Sequence, residues 1–218
     1  MLLSSPLFSS SLLSSPPLFR FCDLAFERND QPLFERVEGA VQSGDILQVV
    51  GANGAGKTTL LRILATLLTP TRGELYWCGT ALPRARSRYL AELAFLGHAP
   101  GLKLELSPRE NLRWIAGLFP QRSRAEEALA TVGLADWIDT PCAQLSAGMQ
   151  RRVALARLAL TRAKLWILDE PLTAIDRDGV TLVENLFGRH RQDGGAIIFS
   201  SHQAVDLPGV KYLALAGS

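Results

Sequence analysis

The run Gly51-Ala52-Asn53-Gly54-Ala55-Gly56-Lys57-Thr58-Thr59 constrains this chain more than anything else in it. It fits G-x-x-x-x-G-K-[ST], a pattern in which glycines let backbone N–H groups wrap phosphate oxygens, the lysine neutralises charge and the hydroxyl is offered to Mg²⁺. Its flanks demand a particular local fold. Ile46-Leu47-Gln48-Val49-Val50 reads as a buried strand, and Leu60, Leu61, Ile63, Leu64, Leu67 and Leu68 recur at helical spacing. A strand feeding a glycine loop that opens a helix aims the positive end of the helix dipole at bound phosphates. Far downstream, Leu165-Trp166-Ile167-Leu168-Asp169-Glu170 is a second apolar strand ending in two carboxylates. A phosphate cradle together with an acidic pair beyond a buried strand implies an α/β fold acting on a nucleoside triphosphate.

Composition sets outer limits. The chain has 218 residues, 47% hydrophobic and 20% charged, enough for one globular domain with a sizeable core. Its 23 basic and 21 acidic residues interleave to a net charge of +2, so bulk electrostatics give no support for nucleic acid as a partner. Cys22, Cys78 and Cys142 are odd in number and scattered, which fits reduced thiols better than a disulfide framework or a zinc site. Residues 1–17 are almost all Leu, Ser, Pro and Phe, and Pro6, Pro16 and Pro17 argue against a spanning helix. They are expected to be a disordered leader or a mis-assigned start, with a weak targeting peptide as the alternative. Residues 18–218 are expected to form a single domain.

Further strands are expected at Phe19 to Ala25, Glu38 to Gln42, Glu74 to Trp77, Leu93 to Leu96 and Ala196 to Phe199. The first three suggest a small antiparallel layer beside the nucleotide. Between Leu96 and Leu165 the pattern turns helical. Ser107-Pro108-Arg109-Glu110 is a capping box with proline at the first helical position, and Leu112, Ile115, Ala116 and Phe119 follow on one face. Ala125 to Val132 and Gln150 to Leu160 are further helices, and one more is expected from about Arg177 to Arg191. Lys57 and Asp169 lie 112 positions apart, room for an inserted helical subdomain over about residues 100–160. The Asn-Lys-x-Asp guanine reader of a small P-loop GTPase is missing from the sequence.

Leu145-Ser146-Ala147-Gly148-Met149-Gln150-Arg151-Arg152, just before an amphipathic helix, resembles the signature motif of ABC ATPases. The order of motifs strengthens the resemblance: P-loop, signature, Asp169-Glu170, Ala174-Ile175-Asp176, and Ser201-His202 after the last core strand. This order spans nearly the whole chain from Phe19. Gly97-His98 through Lys103, Arg151 to Leu158 and Leu165 to Pro171 are most similar to ATP-binding subunits of cytochrome c maturation haem exporters. The resemblance implies a P-loop NTPase core of RecA-like type with an antiparallel β subdomain and an inserted α-helical subdomain. It implies ATP and Mg²⁺, and a peripheral place on the cytoplasmic face of a bacterial inner membrane. It also implies three partners: a second copy closing an ATP sandwich, integral membrane channel subunits, and indirectly a periplasmic haem chaperone.

The same resemblance distributes roles. Residues Gly51, Ala52, Asn53, Gly54, Ala55, Gly56, Lys57, Thr58 and Thr59 would cradle the phosphates, with Thr58 and Asp169 placing the metal. Glu170 would act as general base or water-orienting group, and His202 as a donor to the γ-phosphate. Ser146, Ala147 and Gly148 would meet the nucleotide held by the other copy, and Asp176 either the dimer interface or a turn. Three positions depart from the general pattern. His98 stands where relatives carry glutamine, Arg28 where the adenine stacks on tyrosine, and Met149 where the signature ends in glutamine. Trp77, Trp137 and Trp166 are expected in cores or between subdomains. Burial is preferred for Trp114, Leu118 and Phe119 too, with docking of a membrane subunit as the alternative. A standalone ABC scaffold, or a transporter ATPase for another cargo, are the other functions open to this sequence.

Overall fold

Two strands, Phe19–Arg28 (β1) and Gln31–Val41 (β2), pair antiparallel across a loop of only Asn29 and Asp30, both at positive φ (53° and 59°). That is the twist-matched hairpin turn Asn and Asp tolerate best. The computed structural model describes residues 15–116, 125–203 and 205–215, the side chains of Ile115 and Ala116 excepted. Arg72–Trp77 (β4) pairs with β1, and Thr80–Ala81 (β5) with β4, giving a four-stranded antiparallel sheet in the order β2-β1-β4-β5.

The second sheet is parallel throughout. Leu93–Leu96 (β6), Leu165–Asp169 (β7), Ala196–Ser200 (β8), Ile46–Val50 (β3) and Val210–Ala214 (β9) lie in the order β6-β7-β8-β3-β9. Alternation along these strands feeds two cores. Leu47, Val49, Leu165, Ile167, Ala196 and Ile198 face the antiparallel sheet and the helix Lys57–Leu64 (α1). Ile46, Trp166, Leu168, Ile197 and Phe199 face the opposite way, toward Arg177–Gln192 (α6) and the helical block. Burial on both faces explains why these strands read as continuous apolar runs.

Between β6 and β7 the chain forms Pro108–Ala116 (α3), Ala125–Thr131 (α4) and Ala147–Ala156 (α5), the last continued by a 3-10 turn at Arg157–Leu160. The capping box closes as expected: Ser107 N donates to Glu110 Oε2 at 2.8 Å and Glu110 N to Ser107 Oγ at 3.3 Å. Hydrogen bonding from Ser107 holds the Glu110 carboxyl below its ordinary range.

Several expectations need correction. The strand expected at Glu38 to Gln42 is only the end of the long β2. The helix Leu82–Ala91 (α2) had no expected counterpart, because Arg84, Arg86 and Arg88 hide its stripe of Leu82, Ala85 and Tyr89. Tyr89 anchors it, donating to Leu64 O at 2.6 Å and stacking on Phe19. The edge strand β9 was also missed, since its half-exposed residues show no clean alternation. Trp77 and Trp166 are buried, but Trp137 is 45% exposed and Trp114 58% exposed, against the expectation of burial. Leu118 and Phe119 lie outside the described residues, as do residues 1–14 of the expected leader; Pro16 sits against Gly79. All three cysteines are free.

Candidate nucleotide-binding site

Parallel register places three strand ends side by side: Val49 pairs with Ser200, and Ser200 with Asp169. The carboxyl edge of such a sheet is where α/β folds bind ligands, and the glycine loop leaves β3 there. Gly56 caps α1 at φ 92°, a left-handed value that glycine adopts without strain, and no side chain satisfies the first turn of the helix. A Cβ at Gly56 would also strike Leu33 and Phe34 of β2 at 2.9 Å. The hairpin therefore packs against the loop, with Arg28 exposed at its tip. Lys57 is 9% exposed and donates from Nζ to Gly51 O at 2.8 Å and Ala52 O at 3.1 Å, which curls the loop around its own ammonium. An uncapped helix start beside a captive ammonium is a built anion site.

Asp169 is 2% exposed at the end of β7. Thr58 Oγ1 donates to its Oδ1 at 3.1 Å and Ser200 Oγ to the same oxygen at 2.8 Å, and no described ion pair neutralises it. A buried carboxylate served only by hydroxyls, one of them from the phosphate loop, is the oxygen donor set a Mg²⁺ ion takes, so the residues fit that group. Glu170 follows at φ 49°, a strained value for a non-glycine residue. Its N–H donates to Ser200 Oγ at 3.0 Å, and its Oε1 lies 3.5 Å from Nε2 of the exposed His202. The loop carrying His202 is tied down by Gln48, whose buried Nε2 donates to Ser201 O at 3.2 Å and Gln203 O at 3.0 Å.

Arg151 completes the arrangement from α5. Only 3% exposed, it donates from one terminal nitrogen to Gly97 O and His98 O, both at 2.9 Å. The other terminal nitrogen reaches Asp169 O and, at 2.7 Å, Glu170 O, while Nε points to Pro171 O. Burial pushes its pKa down, and the Asp169 and Glu170 carboxylates oppose that shift. Arg157, farther along, donates to Pro100 O at 2.8 Å and Gly101 O at 2.9 Å. The His98 loop is thus held through main-chain carbonyls by two arginines.

Ser146 and Ala147 are exposed at the start of α5, where Ser146 Oγ accepts from Met149 N at 3.2 Å. Gly148 lies against the turn after β7, for a Cβ there would meet Ala174 O at 2.4 Å. Asp176 caps α6, accepting from Gly179 N at 3.1 Å, which is the turn role expected as one of its two alternatives. Thr58, Asp169, Glu170 and His202 are brought into one chain of contacts; Arg28 and Ser146 stand outside it. Ser200, Gln48 and Arg151 were missed as site residues. Arg151 had left a signal: it lies with Ala154, Leu155 and Leu158 at helical spacing, on the buried face of α5 and the 3-10 turn that continues it.

A phosphate loop leaving β3, and a buried Asp169 followed by Glu170 at the end of β7 two strands away in the same parallel sheet, define a P-loop nucleotide-binding domain. Comparisons narrow the class: the family described as ABC transporter matches residues 34–173. The chain is 50% identical over 200 residues, 89% of its length, to the cytochrome c biogenesis ATP-binding export protein CcmA of Salmonella typhi, covering 95% of that protein. It is 47% identical over 195 residues to the protein of the same name from Hahella chejuensis, covering 88% of this chain and 92% of that one. A solved ATP-binding subunit of an ABC transporter superposes at TM-score 0.78 with 26% identity, over 91% of this chain and 85% of the other. The chain belongs to the ABC transporter ATP-binding family and is an ATPase of that kind. Subunits of this family dimerise and work with membrane subunits. Among the described residues no helix is long and apolar enough to cross a membrane.

Proposed function

We propose that this chain is the ATP-hydrolysing subunit of an exporter serving cytochrome c biogenesis, driving haem delivery or release of a haem-loaded chaperone. The hydrolytic part rests on the contact chain Thr58–Asp169–Ser200–Glu170–His202. The biological part rests on half-identity to the Salmonella protein over nearly its whole length.

The glycine loop from Gly51 to Thr59 binds the phosphates of ATP, with Lys57 moving from carbonyls to phosphate oxygens. Thr58 and Asp169 would hold Mg²⁺, which when bound draws charge from the β- and γ-phosphates. Glu170 orients the attacking water and accepts its proton, and His202, beside Glu170, donates to the γ-phosphate. Arg28 and His98 border the nucleotide. Ser146, Ala147 and Gly148, at the start of α5, serve the nucleotide of a second copy, so two chains close on two ATP molecules. The dimer works peripherally at the cytoplasmic face of the inner membrane under channel subunits, with a periplasmic haem chaperone as its indirect partner.

The test is to trap Glu170→Gln with ATP in native membranes and identify what co-purifies. Cytochrome c maturation channel subunits and the haem chaperone are expected. A different permease would reassign the cargo, and a soluble partner alone would make the chain a scaffold.

A further inference from the structure

We infer that Arg151 is a positioning residue for hydrolysis: its guanidinium binds the His98 loop and the Asp169-Glu170-Pro171 turn into one body and so sets where the Glu170 carboxylate stands. This rests on the reading of Glu170 as the water-orienting group.

The backbone of Glu170 is gripped from both sides. Its N–H is taken by Ser200 Oγ at 3.0 Å, and its carbonyl by Arg151 at 2.7 Å. Such a grip has something to hold, because Glu170 sits at φ 49° and relaxation toward an ordinary backbone would swing its side chain away from His202. Arg151 also bridges elements that are distant in sequence. Gly97 and His98 follow β6, and Asp169 to Pro171 follow β7, yet one planar fork satisfies carbonyls of both. Five rigidly arranged donors suit this task, whereas a lysine offers three from a single point.

Placement on α5 adds direction to the effect. Arg151 lies about one helical turn beyond Ala147 and Gly148, the residues proposed to meet the nucleotide of the second copy. Displacement of that end of α5 reaches the Glu170 carbonyl through the guanidinium, without passing through the glycine loop. Arg151 therefore acts on the hydrolytic step: among the described residues it has no hydrogen bond to Lys57 or Thr58, and it reaches Asp169 only at the main-chain carbonyl, leaving the carboxylate to Thr58 and Ser200.

The experiment compares Arg151→Lys, Arg151→Gln and Arg157→Lys with the parent and with Glu170→Gln, in the purified full chain and in native membranes. kcat, KM for ATP, binding of a fluorescent ATP analogue and melting temperature are measured on each preparation. Misplacing a reacting group by about an ångström costs on the order of tenfold to a hundredfold in rate. We expect Arg151→Gln to lose kcat in that range and Arg151→Lys several-fold less, with KM and analogue affinity within about threefold of the parent. Arg157→Lys, which grips the same loop but not Glu170, should lose clearly less. Parental kcat in a folded Arg151→Lys would overturn the inference, as would equal losses at Arg151 and Arg157 or a loss carried by KM. If Arg151→Gln does not fold, Arg151→Lys against Arg157→Lys decides. Substantial activity in Glu170→Gln would instead overturn the underlying reading of Glu170.

Discussion

Ser200 Oγ stands between the two carboxylate residues of the site, donating to Asp169 Oδ1 at 2.8 Å while accepting from Glu170 N at 3.0 Å. A hydroxyl does both at once, which no apolar residue of similar size can imitate. Being fully buried at the end of β8, it has no water to replace either bond. Ser200→Ala should therefore cost about 1–3 kcal/mol of stability from the unsatisfied Glu170 amide and the loosened Asp169 carboxylate. It should also lower ATPase activity and raise the Mg²⁺ concentration needed for half-maximal rate. Calorimetry and a Mg²⁺ titration of activity check this; an unchanged Mg²⁺ requirement would show that Thr58 alone fixes Asp169.

Gly148 leaves no room for a side chain. A Cβ would come within 2.4 Å of Ala174 O, a main-chain atom, so either α5 or the turn after β7 must shift. Ala174 is itself at φ 63°, a conformation with little freedom to adjust. Gly148→Ala should destabilise by about 1–3 kcal/mol and abolish most ATP turnover. Binding of a nucleotide analogue to the glycine loop should survive, because Lys57 and Thr58 lie outside the displaced contact. Parental turnover would mean the turn yields without consequence.

The imidazole of His190 lies flat against Trp166, 3.7 Å between centroids and 6° from parallel. Burial pushes its pKa down from 6.5 to about 4, with backbone hydrogen bonding at Ala196 partly opposing the shift. The folded chain thus holds this histidine neutral where the unfolded chain protonates it. Stability from this group is complete above about pH 6.5 and is lost as pH falls from there toward about 4, by on the order of 2–3 kcal/mol. Denaturant melts across that range should show the slope, and His190→Gln should flatten it. A parental slope in that variant would assign the acid sensitivity elsewhere.

Features set by neighbours in sequence are legible in the order of residues alone. The glycine loop with its flanking strand and helix, the Ser107–Glu110 box and the apolar strand ending in Asp169-Glu170 each carry their own local reason. What escapes such a reading depends on partners far along the chain. Gln48 looks like an interruption in a buried strand until the Ser201 and Gln203 carbonyls arrive beside it, 153 and 155 positions away. Arg151 reads as one of many basic residues because its partners are carbonyls, which have no sequence signature. Trp137 misleads in the opposite sense: its bulk predicts burial, but it sits on a short 3-10 turn and is nearly half exposed.

Trp114 poses the same question with a functional answer. On α3 just beyond the His98 loop, it is 58% exposed, with Lys103 Nζ 4.5 Å above its ring and Leu104 also exposed nearby in sequence. A large aromatic surface left in water contributes little to folding, so Trp114→Ala should change stability by no more than about 0.5 kcal/mol. If this face receives a membrane subunit, the loss falls on association, since buried aromatics dominate such contacts. The variant should bind nucleotide like the parent while its recovery with membranes drops several-fold on fractionation. Lys103→Glu, which reverses the charge above the ring, should weaken recovery in the same direction. Unchanged recovery in both would place docking on another surface and leave Trp114 an exposed residue without that role.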